Sequence, residues 1–348
     1  MTGKENVPAA EPGASPDTLP WIERYRPKTL ADLVAQGDIV ATIRKLVDAN
    51  ALPHLLFYGP PGTGKTSTIL AVAREMYGEK TRSMVLELNA SDARGIDVVR
   101  NEIQNFAGTR KLFSSGTKLV ILDECDNMTR DAQMALRRVI EKYSANTRFC
   151  LICNYASKII PALQSRCTRF RFAPLETSQV KGRVQEIVAS EGVELSEGGL
   201  NAVLKLGKGD MRKILNILQS TALAHSNKIS EASVYRCTGM PTEQDITTCY
   251  DALFNQPVGQ GFATIRELQI QNGLALLDII HALHEYLKST VKLPPRVLMH
   301  ILKHMADIEH ALASGTSEAL QLGGLVGAMF LAREMMQQGQ SAAPMELA

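Results

Sequence analysis

The chain has 348 residues, 45% of them apolar and 21% charged, which is ordinary globular usage and enough for two or three compact units. Thirty-eight basic and 36 acidic residues leave a net charge of +2, and six scattered cysteines are too few for a disulfide framework. No apolar run approaches the roughly 20 residues that cross a bilayer, and the first 20 residues lack the apolar stretch of a secretory signal, so the expectation is a soluble intracellular protein without disulfides.

Residues 1–18 read as a disordered tail, because Pro8, Pro12 and Pro16 are spaced by Gly, Ser and Glu with no apolar periodicity. Folding begins near Trp21. From there to about Phe172, short apolar runs alternate with helical patterns, and the strands are expected at 54–58, 84–89, 119–123, 149–154 and 169–172. Near-continuous apolar strands flanked by helices predict a parallel five-stranded sheet covered on both faces, an α/β unit over 19–173. After Pro174 the pattern is helical only. One helical segment is expected over 174–238, where Asp210 suits an N-cap, and a separate all-α domain over 239–348, with breaks at Gly273, Pro294–Pro295 and Gly315.

Gly59-Pro60-Pro61-Gly62-Thr63-Gly64-Lys65-Thr66 fits G-x-x-x-x-G-K-[ST] between an apolar strand and a helical pattern. Glycines in such a turn let consecutive N–H groups face phosphates, the helix N-terminus adds its positive dipole end, Lys65 neutralises the β/γ oxygens and Thr66 can ligate Mg²⁺. Further along, the apolar run Leu119–Leu122 ends in Asp123 and Glu124. Asp123 is assigned to Mg²⁺, directly or through water, and Glu124 to the general base acting on the attacking water. A surface Asp-Glu pair at a strand end is the simpler reading of those two residues in isolation; the phosphate loop upstream favours the catalytic one. Cys150 and Cys153 form C-x-x-C, but in a strand positions i and i+3 point to opposite faces, so no zinc site is expected there.

The pairing of Gly59–Thr66 with Asp123-Glu124-Cys125-Asp126 resembles the AAA+ ATPases. Trp21-Ile22-Glu23-Arg24-Tyr25-Arg26-Pro27, Glu87-Leu88-Asn89-Ala90-Ser91-Asp92 and Ser165-Arg166-Cys167 narrow the match. Together they are similar to the small subunits of eukaryotic replication factor C, the sliding-clamp loader, and most to the subunit numbered 3 in yeast and plants and 5 in animals. The resemblance runs from about Trp21 through Gly239, and more loosely to the C-terminus. It implies an AAA+ domain, a small helical lid over 174–238 and a collar over 239–348 that joins five subunits. Cys125 departs from the family's D-E-A-D run, as a small replacement for Ala.

The resemblance also implies site roles. Asn154 matches the polar sensor of the γ-phosphate or attacking water, although alone it is only a strand-end Asn. Arg212 matches a second sensor; a cation in the first turn of a helix opposes the dipole and wants an anion nearby. Arg24, Tyr25, Arg26 and Pro27 match the segment around adenine and ribose, while Tyr25 could equally be core. Arg166 matches a finger that enters the neighbouring subunit's ATP site in trans; alternatively Arg166, Arg169 and Arg171 are one exposed strand face.

Between Arg130 and Arg171 nine basic residues face two acids, a local excess of +7 suited to polyanions. Arg94, Arg100, Arg137 and Arg138 are the candidates for DNA, with Arg110 and Lys111 nearby, although each taken singly reads as well as a solvated helix face. The clamp-facing surface is expected over 101–116, including Ile103, Phe106, Leu112 and Phe113, which core packing explains equally well. The implied cofactors are ATP and Mg²⁺. The implied partners are the other replication factor C subunits in a heteropentamer, the sliding clamp PCNA and primer–template DNA, with no membrane, and the implied location is nuclear. A DNA-remodelling motor and a non-hydrolysing scaffold are the competing functions; no threading element supports the first, and Glu124 with Asn154 argues against the second.

Overall fold

A computed structural model of the chain describes residues 19–33, 35–90, 99–109 and 116–341. The tail expected over 1–18, Arg94, the side chain of Arg100, and Arg110, Lys111, Leu112 and Phe113 lie outside what it describes. The chain divides into two compact units, one up to Ser230 and one from Glu231.

In the first unit β1 (Leu55–Tyr58), β2 (Val85–Asn89), β3 (Lys118–Asp123), β4 (Thr147–Cys153) and β5 (Thr168–Arg171) form one sheet in the order β2-β3-β4-β1-β5. Every pairing is parallel, so the expected α/β sheet is present. The period of two sorts side chains cleanly between two layers. Leu56, Val120, Leu122, Phe149, Leu151 and Cys153 pack against Leu136, Val139 and Ile140 of the helix Arg130–Tyr143. Leu55, Phe57, Leu119, Ile121, Cys150 and Ile152 pack against Ile69, Val72 and Ala73 of the helix Lys65–Tyr77. Each such buried side chain contributes about 1.5–3 kcal/mol, so the central strands anchor the unit. Cys150 and Cys153 accordingly sit in opposite layers, and burial pushes the Cys153 thiol up to about 12.

β4 begins two residues earlier than the apolar run indicates. Thr147 is fully buried, and Arg148 donates from Nε to the Leu52 carbonyl at 2.6 Å; two polar residues hid the strand's start. A second departure lies beyond Pro174. The helices Thr177–Ser190, Glu197–Gly207 and Met211–Ala224 are joined by a short parallel pair, Glu194–Leu195 with Lys228–Ile229. Two-residue strands are too short to show any alternation, which is why the sequence reads as helices alone.

The second unit is all-helical: Glu231–Thr238, Glu243–Phe254, Val258–Asn272, Leu276–Ser289, Pro295–Ala313 and Glu318–Ser341. Its core gathers Leu253, Ile265, Ile279, Leu283, Ile301, Leu325 and Met329. The breaks fall where expected, with Gly273 left-handed after the helix Val258–Asn272 and Pro295 opening the helix Pro295–Ala313. The helix Glu231–Thr238, which the sequence reading groups with the segment before it, belongs to this unit.

Candidate nucleotide-binding site

β1 runs into the turn Gly59–Gly64, from which the helix Lys65–Tyr77 departs. Two glycines in that turn are sterically required. Gly59 has φ +145°, and a Cβ there would lie 2.1 Å from the Phe172 carbonyl oxygen. Gly62 has φ +67°, and a Cβ there would fall 1.7 Å from Asp210 Oδ1. The second contact joins the turn to the helix Met211–Ala224, whose Met211 N–H donates to the Gly62 carbonyl at 3.2 Å. Asp210 meanwhile caps that helix, accepting from the N–H groups of Arg212 at 2.9 Å and Lys213 at 3.2 Å.

Lys65 is buried and points back along its own turn. Its Nζ donates to the carbonyls of Gly59 and Pro60, both at 2.8 Å, and to Asn154 Oδ1 at 3.1 Å. Burial lowers its pKa below the ordinary lysine value, Asp123 opposes that, and Arg212 adds to it. Thr66 donates from Oγ1 to Asp123 Oδ2 at 2.7 Å. Two hard oxygen donors are thus adjacent at the mouth of the turn, a donor pair that fits Mg²⁺.

β3 delivers Asp123 and then Glu124, whose backbone adopts the left-handed conformation with φ +54°. A non-glycine residue in that region is uncommon and costs about 1 kcal/mol or more. Asp123 Oδ1 accepts from the Glu124 N–H at 2.8 Å, and Glu124 Oε2 accepts from Asn127 Nδ2 at 3.2 Å. At the end of β4, Asp126 Oδ2 accepts from the N–H groups of Asn154 and Tyr155, each at 3.3 Å, so the acidic loop fixes the backbone that carries Asn154.

These parts enclose a cavity of about 530 Å³. Of the residues expected at a nucleotide, Tyr25, Arg26, Pro27, Pro61, Gly62, Thr63, Gly64, Lys65, Thr66, Asp123, Glu124, Asn154 and Arg212 line it. Gly59 and Pro60 do not; they turn their carbonyls to Lys65. Arg24 does not either. Its guanidinium pairs with Glu191 at 2.6 Å, next to the hydroxyl of Tyr25, which bonds to Glu191 and, at 2.8 Å, to Ser190. The expected direct contact of Arg24 is therefore corrected to a tie between the Trp21–Pro27 segment and the helix Thr177–Ser190, reinforced by the Trp21 N–H donating to Gln219 Oε1 at 3.0 Å.

Sequence reasoning missed Asn89, Ile22, Leu33 and Leu215, which also line the cavity. Asn89 ends β2 opposite Asp123, so the strand-end position was its signal; the apolar residues supply a wall for a flat base and carried none. Arg166 lies away from this cavity, at the end of the helix Pro161–Gln164, where it pairs with Glu141. Arg137 bonds to the same carboxylate at 3.1 Å, and Arg138 is exposed. Ile103 is 1% exposed, and Phe106 packs against the same core beneath the Lys118 ammonium. Ile103 is therefore core, and Phe106 is half-buried against it.

Comparison with known proteins agrees with this layout. Residues 55–175 match the family of ATPases associated with various cellular activities, and residues 241–328 match the replication factor C C-terminal domain. Replication factor C subunit 5 of Mus musculus is 55% identical over 319 residues, covering 91% of this chain and 94% of that protein. The chain belongs to the replication factor C family. Subunit 3 of Oryza sativa subsp. japonica is 52% identical, with 91% and 88% covered. Subunit 3 of Saccharomyces cerevisiae is 46% identical, with 90% and 94% covered. Among solved structures, the Thermotoga maritima RuvB branch-migration motor superposes with a TM-score of 0.52 over 78% of this chain and 99% of that one; at 13% identity this reports the shared fold alone. Among the described residues, no helix is long and apolar enough to cross a membrane.

Proposed function

We propose that the cavity holds ATP and that its residues divide the work as follows. The N–H groups of Gly62, Thr63 and Gly64 and the first turn of the helix Lys65–Tyr77 receive the phosphates, as helix N-termini do. Lys65, already beside Asn154, spans the β- and γ-phosphates, and Arg212 meets the outer phosphate from the capped helix Met211–Ala224. Thr66 and Asp123 hold Mg²⁺, which neutralises charge on the phosphates. Glu124 orients and deprotonates the attacking water, with Asn154 steadying that water or the γ-phosphate. Tyr25, Arg26 and Pro27 flank the base and ribose, and Arg24 sets their position through Glu191.

As a replication factor C subunit with an ATPase domain, the chain acts in clamp loading: with other subunits of a heteropentamer it opens the sliding clamp PCNA and places it on primer–template DNA. Arg166 serves the neighbouring subunit's ATP in trans, a role worth roughly 10³–10⁵ in rate. Its absence from this chain's own cavity suits that assignment. Arg137 and Arg138, with Arg94 and Arg100, are assigned to the DNA backbone, where contacts read charge and not base identity. The nucleus is the assigned location, because the substrate is there.

The observation that carries the reading is the convergence of Lys65, Thr66, Asp123, Glu124, Asn154 and Arg212 on one cavity. The test is crosslinking of labelled ATP to this subunit within the reconstituted pentamer, with Lys65→Ala alongside. Labelling of the wild type and its loss in the variant are expected; equal labelling of both would overturn the assignment of the site.

A further inference from the structure

Arg166 is held more firmly than an exposed cation needs to be. Nη1 donates to the Ala162 carbonyl at 2.6 Å, with Ser165 Oγ at 3.5 Å, and Nη2 donates to Glu141 Oε1. Glu141 stands near the end of the helix Arg130–Tyr143, 25 residues earlier in the chain, and the same Oε1 accepts from Arg137 Nε at 3.1 Å. Arg137 and then Arg166 hold the Glu141 carboxyl below the usual carboxylate range. None of these groups reaches the chain's own cavity.

We propose that Glu141 is the positioning residue of the trans-acting finger. It fixes the Arg166 guanidinium against the helix Arg130–Tyr143, so that the neighbour's triphosphate meets an oriented cation. The inference rests on the assignment of Arg166 to the neighbouring site.

Three observations support it. A guanidinium has five N–H donors in a rigid fork; the contacts above occupy both hydrogens of Nη1 and one of Nη2, leaving the second Nη2 hydrogen and Nε for a phosphate. Glu141 is itself paired with Arg137, one turn earlier on its own helix, so the carboxylate that meets the finger has a second cation holding it. A long, half-exposed arginine loses several rotatable bonds on docking, and prior fixation removes part of that ordering cost. Misplacing a reacting group by about 1 Å can cost about a hundredfold in rate, so a carboxylate that never touches nucleotide can govern hydrolysis next door.

The test is a double-mutant cycle in the reconstituted pentamer, with ATP hydrolysis followed in the presence of clamp and primed DNA. Arg166→Ala defines the share of turnover that the finger controls. Glu141→Ala is expected to lower that finger-dependent share roughly tenfold, without changing KM or nucleotide crosslinking to this subunit. Glu141→Gln, which keeps an acceptor oxygen, is expected to retain more activity than Glu141→Ala. The double variant is expected to be no slower than Arg166→Ala alone. If Arg166→Ala slows hydrolysis while Glu141→Ala turns over at the wild-type rate, or if the two losses multiply, the positioning role is overturned and the finger stands. If Arg166→Ala has no effect, both fall.

Discussion

Replacing Gly62 by alanine tests how the phosphate turn is docked on the following helical segment. A Cβ at Gly62 would lie 1.7 Å from Oδ1 and 2.4 Å from Cγ of Asp210, and 3.1 Å from its Cα. The side chain of Asp210 must rotate away, and in leaving it gives up the cap on Arg212 and Lys213, worth about 1 kcal/mol. Alanine at φ +67° adds about 1–2 kcal/mol of backbone strain. The expected loss is therefore about 2–3 kcal/mol. Asp210→Ala alone costs about 1 kcal/mol, the cap only. In the double variant the two nearest obstructing atoms are already gone, so its cost should fall short of the summed single losses by about 1 kcal/mol. The assay is urea unfolding read by tryptophan fluorescence. The chain has one tryptophan, Trp21, which is 7% exposed and bonded through its N–H to Gln219 on the same helix that Asp210 caps. Wild-type stability for Gly62→Ala, or strict additivity with Asp210→Ala, would refute the reasoning.

Three further perturbations separate the parts of the site. Glu191→Ala should remove the carboxylate that Arg24 and the Tyr25 hydroxyl share and weaken nucleotide binding roughly three- to tenfold, with kcat unchanged; equilibrium binding of a fluorescent nucleotide reads it, and unaltered affinity counts against the tie. Glu124→Gln should leave ATP crosslinking intact while hydrolysis at this subunit's own site in the pentamer drops by at least about a hundredfold, and wild-type turnover at that site would remove Glu124 from its role. His54 is lowered to about 4 by burial, with Arg148 a smaller cause. From pH 6.5 down to about 4 the unfolded chain therefore takes up a proton at this residue that the folded chain refuses, and stability should decline across that window. Unfolding free energies of wild type and His54→Asn from pH 7 to 4.5 check this; identical pH slopes would show that the imidazole is not the cause.

What the sequence made legible were the features that repeat or that need one residue type. The central strands β1, β3 and β4 were visible because their apolar runs are buried on both faces, and Gly59–Thr66 because a phosphate turn tolerates little else. Asp123 and Glu124 followed from standing at a strand end beyond a phosphate turn, where an open parallel sheet presents its ligand sites, whereas Asn154, alone only a strand-end Asn, was assigned by resemblance. The illegible parts are single contacts between distant segments. Arg24 and Glu191 are 167 residues apart, and nothing in either neighbourhood says that they meet, so Arg24 was assigned to the nucleotide by the resemblance of its segment. Asp210 was readable as a cap, yet its abutment on Gly62 depends on how the helical segment packs on the turn, and no local pattern encodes that. Ile103 and Phe106 could not be assigned to surface or core from a half-apolar run, and only the packing beside β3 and β4 decides it.

The left-handed backbone of Glu124 sets a trap for anyone improving this protein. Glycine would sit there without strain, so a search guided by folding free energy ranks that replacement highly. The chain retains a carboxylate where its own main chain would prefer none. A more robust version obtained that way would lose the one side chain in the acidic loop assigned to the chemistry, and thermal screening alone would score it as a success.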